Sequence, residues 1–251
     1  MFIQNIRKSS YLLFFFISIF FINPVFSQDK TEVVNLIWQG IGGKQSWDEA
    51  RYFMFSCKTN VHQLVPGEHS YIWDRVSGNC RFEGTNSSKG KVLALFNAKS
   101  REGRIFVNDQ AITDQDSAKV LLETIIKSFY SDSFWLFPSK NLTDPSQLVL
   151  RDQELIGSTR YYVVEIQLRN KNYGEYSSKL FIDTNTGRVY QWQALSDDGN
   201  IMYNFLTSSF KDVGGGLMLA TALMDEKTGI TINYPIVSAL INVEEDKFIK
   251  P

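Results

Sequence analysis

Lys91-Val92-Leu93-Ala94-Leu95-Phe96-Asn97 reads as a β-strand that is apolar on both sides, with Val92, Ala94 and Phe96 on one face and Leu93 and Leu95 on the other. A sheet buried on both faces needs a layer over each. The helices the chain can offer suffice for one face only. The stretch therefore predicts an α+β fold built on a strongly curved antiparallel sheet, an unclosed β-barrel of about 11 strands, with helices across its concave face.

Outward from that strand, 52–58, 69–75, 80–83 and 104–108 alternate with turn residues at Val65-Pro66-Gly67, Ser77-Gly78-Asn79 and Ser100-Arg101-Glu102-Gly103, the pattern of an antiparallel meander. A helix follows, with Ala118, Leu121, Leu122, Ile125, Ile126 and Phe129 forming one apolar stripe, and Thr113 with Asp116 as its expected capping box. Phe134-Trp135-Leu136-Phe137-Pro138 is expected as an aromatic knot after the helix, leading into a polar loop, 139–146. Strands return at 147–151, 160–169, 179–183, 188–195, 200–207, 217–223 and 230–243. Asp183-Thr184-Asn185-Thr186-Gly187 and Glu226-Lys227-Thr228-Gly229 supply hairpin turns, and Pro235 should bend or bulge the last strand. Tyr162, Val164, Ile166 and Leu168 alternate with Tyr161, Val163, Glu165 and Gln167, which predicts burial on one face. Before the meander, Val33, Val34, Ile37, Trp38 and Ile41 mark an amphipathic helix stopped by Gly42-Gly43.

The first 27 residues have a different character. Arg7 and Lys8 precede an uncharged run from Tyr11 to Ile22, and Val25-Phe26-Ser27 leads up to Gln28, so a signal peptide over 1–27 with cleavage between Ser27 and Gln28 is expected. The run is shorter than the roughly 20 residues that cross a bilayer. No Cys follows the cut, so a periplasmic or secreted protein without a lipid anchor is expected, its 28–251 portion forming a single domain. Hydrophobic residues at 43% and aromatics at 14% exclude disorder. Without the leader, 24 Lys and Arg stand against 27 Asp and Glu, and a net −3 argues against nucleic acid or an anionic membrane as partner.

Cys57 and Cys80 fall on the first and third strands of the meander, about 9.5 Å apart at the usual strand spacing, beyond the ~7 Å that a disulfide spans. Two buried free thiols are expected in preference to a bridge. His62 and His69 are the two histidines, and neither they nor the cysteines fall in a metal-ligand or nucleophile motif; no cofactor or metal is expected. A triad of His69, Asp74 and a serine has no sequence signature. Glu244-Glu245-Asp246 reads as solvated tail charge.

The densest constellation is His69-Ser70-Tyr71-Ile72-Trp73-Asp74-Arg75. As a covered sheet it would put Trp73 in the core and pair Asp74 with Arg81 across the hairpin. As a ligand surface it would offer aromatic area with His69 and Arg75 recognising a polar or anionic head.

The order of leader, short helix, meander, amphipathic helix and further hairpins resembles the lipoprotein-carrier fold of the LolA/LolB type. Ser46–Phe53, His69–Gly78, Arg81-Phe82-Glu83, Phe134-Trp135-Leu136 and Leu180–Val189 look like a secreted bacterial family of unassigned function with that fold. The resemblance covers most of the chain after the leader. It implies an unclosed, helix-lidded barrel with an apolar cavity, and makes Arg75 a candidate for a carrier's functional arginine.

The expected function is an exported, non-enzymatic protein holding a lipid-like or acyl ligand, with Tyr71, Trp73, Arg75, Phe96, Trp135, Tyr162 and Phe205 as candidate binding residues. The alternative is an envelope structural or interaction protein with a filled core, using outward aromatics such as Tyr161 and Trp192 against a protein partner. An enzyme ranks third, needing a polar cluster buried in a cleft.

Overall fold

A computed structural model describes residues 29–61, 64–137, 148–168 and 171–251. The leader, His62 and the loop expected at 139–146 lie outside them. The chain runs as two meanders. The first comprises β1 (Tyr52–Thr59), β2 (His69–Asp74), β3 (Asn79–Thr85), β4 (Lys91–Asn97), β5 (Glu102–Val107) and β6 (Gln110–Ala111). The second comprises β7 (Leu148–Ile156), β8 (Thr159–Ile166), β9 (Ser177–Asp183), β10 (Val189–Leu195), β11 (Ile201–Asp212), β12 (Met218–Asp225), β13 (Ile230–Asn233) and β14 (Val237–Leu240). All described pairings are antiparallel, and the strand order is β6-β5-β4-β3-β2-β1-β13-β12-β11-β10-β9-β8-β7, with β14 also on β1.

The sheet is open, as expected, but has 14 strands among the described residues rather than about 11. Two of the additions have simple causes. The short β6 closes a tight hairpin on β5. The last strand divides at Pro235: Lys58 pairs with Asn233 and Phe55 with Val237, so the register along β1 shifts by one residue across the break. Proline has no N–H to give the ladder, and a bulge is where a sheet tolerates it.

Four helices are present among the described residues instead of two: α1 (Lys30–Gly40), α2 (Lys44–Glu49), α3 (Gln115–Leu136) and α4 (Asp246–Ile249). α1 buries Val33, Ile37 and Trp38 and seats Gly40 against the β9–β10 turn. There a Cβ on Gly187 would lie 1.9 Å from the Leu36 carbonyl oxygen, and its φ of 70° is also one that glycine tolerates best. α3 is capped by Asp114, whose carboxylate accepts from the Ser117 amide at 2.9 Å, not by the box expected from Thr113 and Asp116. It also continues through Phe134, Trp135 and Leu136, so the expected knot is its last turn, because these side chains prolong the buried stripe.

α3 reveals the curvature of the sheet. Phe129 packs on Phe55 of β1, Tyr71 and Trp73 of β2 and Phe96 of β4, while Trp135 packs on Trp192 of β10 and Phe205 of β11. Six helical residues advance about 9 Å. In a flat sheet β4 and β10, seven steps apart in the strand order, would be separated by about 34 Å. One helix can touch both only if the sheet wraps around it, so the helix-bearing face is the concave one.

The outer face is partly covered as well. Leu93 and Leu95 cluster there with Phe106, and α4 lies against β3 and β4, its carbonyls accepting from Arg81 (2.9 Å from Lys250) and Arg104 (2.7 Å from Ile249). The tail at 244–246 is thus the approach to a docked helix rather than solvated charge alone. Tyr161 and Val163 form a second outer cluster with Phe181, so β8 is buried on both faces, not one. Cys57 and Cys80 are free and buried.

Asp74 is bound to Arg51 (2.7 Å) and accepts from the Val76 and Ser77 amides; it does not meet Arg81, which bonds Glu83. The β2–β3 ladder ends at Trp73 and Cys80, leaving Asp74, the last residue of β2, paired with β1 alone and opening the turn. Burial alone would raise its pKa, but Arg51 and the turn donors outweigh that and hold it at about 2. A carboxylate held below its unfolded value stabilises the fold above the unfolded pKa, and the gain is lost as pH falls through the folded one. Asp74→Asn is therefore expected to cost about 2 kcal/mol in urea unfolding at pH 7, with the difference from wild type shrinking to nothing between roughly pH 4 and pH 2. Phe129→Ala should cost about 3–5 kcal/mol by the same measurement, while Val120→Ala, on the 67% exposed side of α3, should stay within about 0.5 kcal/mol.

Candidate functional site

The concave interior divides along α3. At its C-terminal half the residues expected to bind ligand form solid aromatic packing. Tyr71, Trp73 and Phe96 surround Phe129, and one and a half turns on, Trp135 meets Trp192, Tyr203 and Phe205 at ring-centroid distances of 5.0–6.3 Å. Five of the seven candidates thus share one interior, all of them buried. The indole N–H groups of Trp73 and Trp135 find no acceptor among the described residues.

The other two lie elsewhere. Arg75 donates to the carbonyls of Trp47, Asp48 and Ala50 at 3.0–3.1 Å and lies over the Trp47 ring, so its guanidinium caps the end of α2. Tyr162 lines a separate cleft beside Leu36 and Gln39 of α1. Trp192, expected on an outer surface, is buried and donates to the Ser178 hydroxyl at 2.8 Å; Tyr161, also buried, stacks on Tyr190.

Set into the aromatic packing is a polar cluster centred on Asp132 of α3. Its Oδ2 contacts His69 Nε2 (2.8 Å) and accepts from the hydroxyls of Tyr71 (2.9 Å) and Ser128 (3.1 Å), while Tyr234 donates to its backbone carbonyl (2.6 Å). The second ring nitrogen of His69 meets the Gly67 carbonyl at 3.2 Å, and the Cys57 thiol belongs to the same group. Ser128 and Asp132 share a helix face at i, i+4. A carboxylate out of water is tolerated because it is surrounded by donors. Burial disfavours a charged imidazole, yet Asp132 outweighs it and the pKa of His69 is raised; burial first, then Asp132, pushes the Cys57 thiol well up.

Sequence reasoning found no signature for a triad of His69 with Asp74 and missed Asp132 as the partner of His69. The signal was available: the period that ends with Phe129 places residue 132 one step further along the same buried stripe.

At its N-terminal half α3 is less tightly packed. Between it and β5 runs a groove of about 530 Å³ lined by Ile105, Phe106, Ala111, Ile112, Ala118 and Leu122, with Arg101, Arg104 and Lys119 also bordering it. On the other flank Leu121 and Ile125 border a recess of about 190 Å³ against Val65, Phe82 and Val92.

No protein-family model matches the chain, and no curated protein matches it. Among solved structures it is similar to a LolA superfamily protein from Nitrosomonas europaea (13% identity, TM-score 0.49, covering 87% of this chain and 97% of that one). It is also similar to a DUF1329 family protein from Desulfovibrio piger (10%, TM-score 0.46, 87% and 96%) and to the lipoprotein LppX from Mycobacterium tuberculosis (10%, TM-score 0.33, 86% and 100%). The open antiparallel sheet expected from the LolA-type resemblance rests on the strand order itself; the long helix α3 lies across its concave face as expected, whereas the short α4 covers part of the outer one.

Proposed function

We propose that the chain is an exported, non-enzymatic binding protein for an anionic amphiphile, a lipid-like or acyl ligand whose chain lies under the N-terminal half of α3. The observation that carries this reading is the groove between α3 and β5. Its volume falls within the ~300–1,000 Å³ of small-molecule sites, its lining is largely aliphatic, and three cations against Glu102 border it. Burying about 300 Å² of acyl chain would contribute roughly 7 kcal/mol before the costs of association. Tyr71, Phe96 and Phe205 then act as the rigid floor on which α3 rests, and not as the walls of an open chamber.

The close ring packing around Phe129 and Trp135 favours the second reading, an envelope interaction protein with a filled core. Native mass spectrometry of the exported protein and displacement of a fluorescent fatty acid separate the two. Ala118→Trp, which fills the groove, is expected to weaken uptake at least about tenfold with the melting temperature unchanged. Lys119→Glu should weaken an anionic amphiphile but leave its uncharged analogue alone. Absence of any adduct, with both variants behaving as wild type, would replace ligand binding with the interaction reading. Export itself predicts that the protein recovered outside the inner membrane begins at Gln28.

A further inference from the structure

We propose that Cys57, His69 and Asp132 form a binding site for one divalent cation of the zinc class, which fastens α3 to the sheet. The inference is independent of the groove and its ligand. Three residues of metal-binding type, from β1, β2 and α3, bring their ligand atoms within 4.8 Å of one another, and none is more than 4% exposed. They are 12 and 63 residues apart along the chain, so the fold alone assembles them.

The surroundings are those of a metal-binding histidine. The Nδ1 of His69 is anchored on the Gly67 carbonyl, which fixes the ring so that Nε2 points toward Asp132. The hydroxyls of Tyr71 and Ser128 hold the carboxylate, and Tyr234 holds the backbone of the same residue. With Nδ1 carrying a proton, an unprotonated Nε2 facing a carboxylate at 2.8 Å sets two acceptors against each other, and a proton or a cation must lie between them. Two ligands of a tetrahedral ion at ~2.0–2.1 Å sit ~3.3 Å apart, so an ion would widen this contact by about 0.5 Å. Ser128 Oγ, 3.4 Å from Nε2 and 3.1 Å from Oδ2, is placed to supply a fourth donor.

The donor set selects the metal. A sulfur, an imidazole and one carboxylate suit zinc, whereas magnesium and calcium take oxygen shells. On binding, the S–H proton of Cys57 is released to solvent and a metal–thiolate bond forms, with no change of oxidation state. Burial on all sides makes the site structural, a tie between α3, β1 and β2.

The test uses the full exported chain, purified without chelator and assayed for metal by mass spectrometry. The same preparation is then stripped and titrated with Zn²⁺ and Co²⁺. About one zinc per chain is expected, together with a rise in melting temperature on adding Zn²⁺ and a thiolate-to-cobalt charge-transfer band. Cys57→Ser should abolish that band and Cys80→Ser should keep it; His69→Gln should weaken Zn²⁺ binding at least about 100-fold. Wild-type protein that is folded by circular dichroism yet holds no metal, gains no stability from Zn²⁺ and gives no cobalt band would overturn the site, leaving a proton between His69 and Asp132. A band that survives in Cys57→Ser would overturn it equally. Both wild-type readouts stand even where a variant fails to fold.

Discussion

Everything in this protein depends on one helix lying inside one curved sheet. Phe129 and Trp135 sit less than two turns apart on α3 and still reach strands from both meanders. The sheet must wrap to allow this, and the wrapping turns two simple meanders into a common interior. The chain route fits the same constraint. The first strand, β1, and the last two, β13 and β14, meet in the middle of the sheet, the edges β6 and β7 flank α3 in sequence, and the helix therefore crosses from one edge toward the other. No crossover within either meander is required, which keeps the pairing local in sequence.

An aromatic interior packs well but holds its parts with little directional preference. The Asp132 cluster supplies the direction. Two of its residues belong to α3 and the others to β1, β2 and the stretch after β13, so satisfying one carboxylate sets the rotation and depth of the helix at once. The effect is confined to the C-terminal half. Toward the N-terminus α3 presents Leu121, Leu122 and Ile125 to the sheet, with a groove on one flank and a recess on the other. Firm anchoring at one end and shallow apolar contact at the other is the arrangement in which a ligand can lodge without opening the core.

Much of the fold was legible along the chain. Alternation in Lys91–Asn97 announced a strand buried on both faces, and the structure covers one face with α3 and the other with α4 and the Leu93–Leu95–Phe106 cluster. Gly187, Gly229 and Pro235 marked two hairpins and a bulge that are present. Readings that depended on partners fared less well. Asp74 and Arg81 are on adjacent strands and oppositely charged, yet each binds elsewhere, because the ladder stops one residue short of Asp74. Arg75 resembled an anion receptor and instead caps a six-residue helix that no periodicity revealed.

The sequence by itself determined the periodic features: where most strands and turns fall, that one long helix carries an apolar stripe, and that two thiols on alternate strands are better placed to stay free than to join. These follow from alternation at 2 and 3.6 residues and from chain geometry, which are local. Only the tertiary structure decided that residue 132 would face residues 57 and 69, that the expected ligand residues would pack against one another, and that the free apolar volume would lie beside Ala118 and Leu122. Those outcomes depend on how far the sheet curls around α3, a quantity set by the sum of many side-chain volumes and written in no single stretch of the chain.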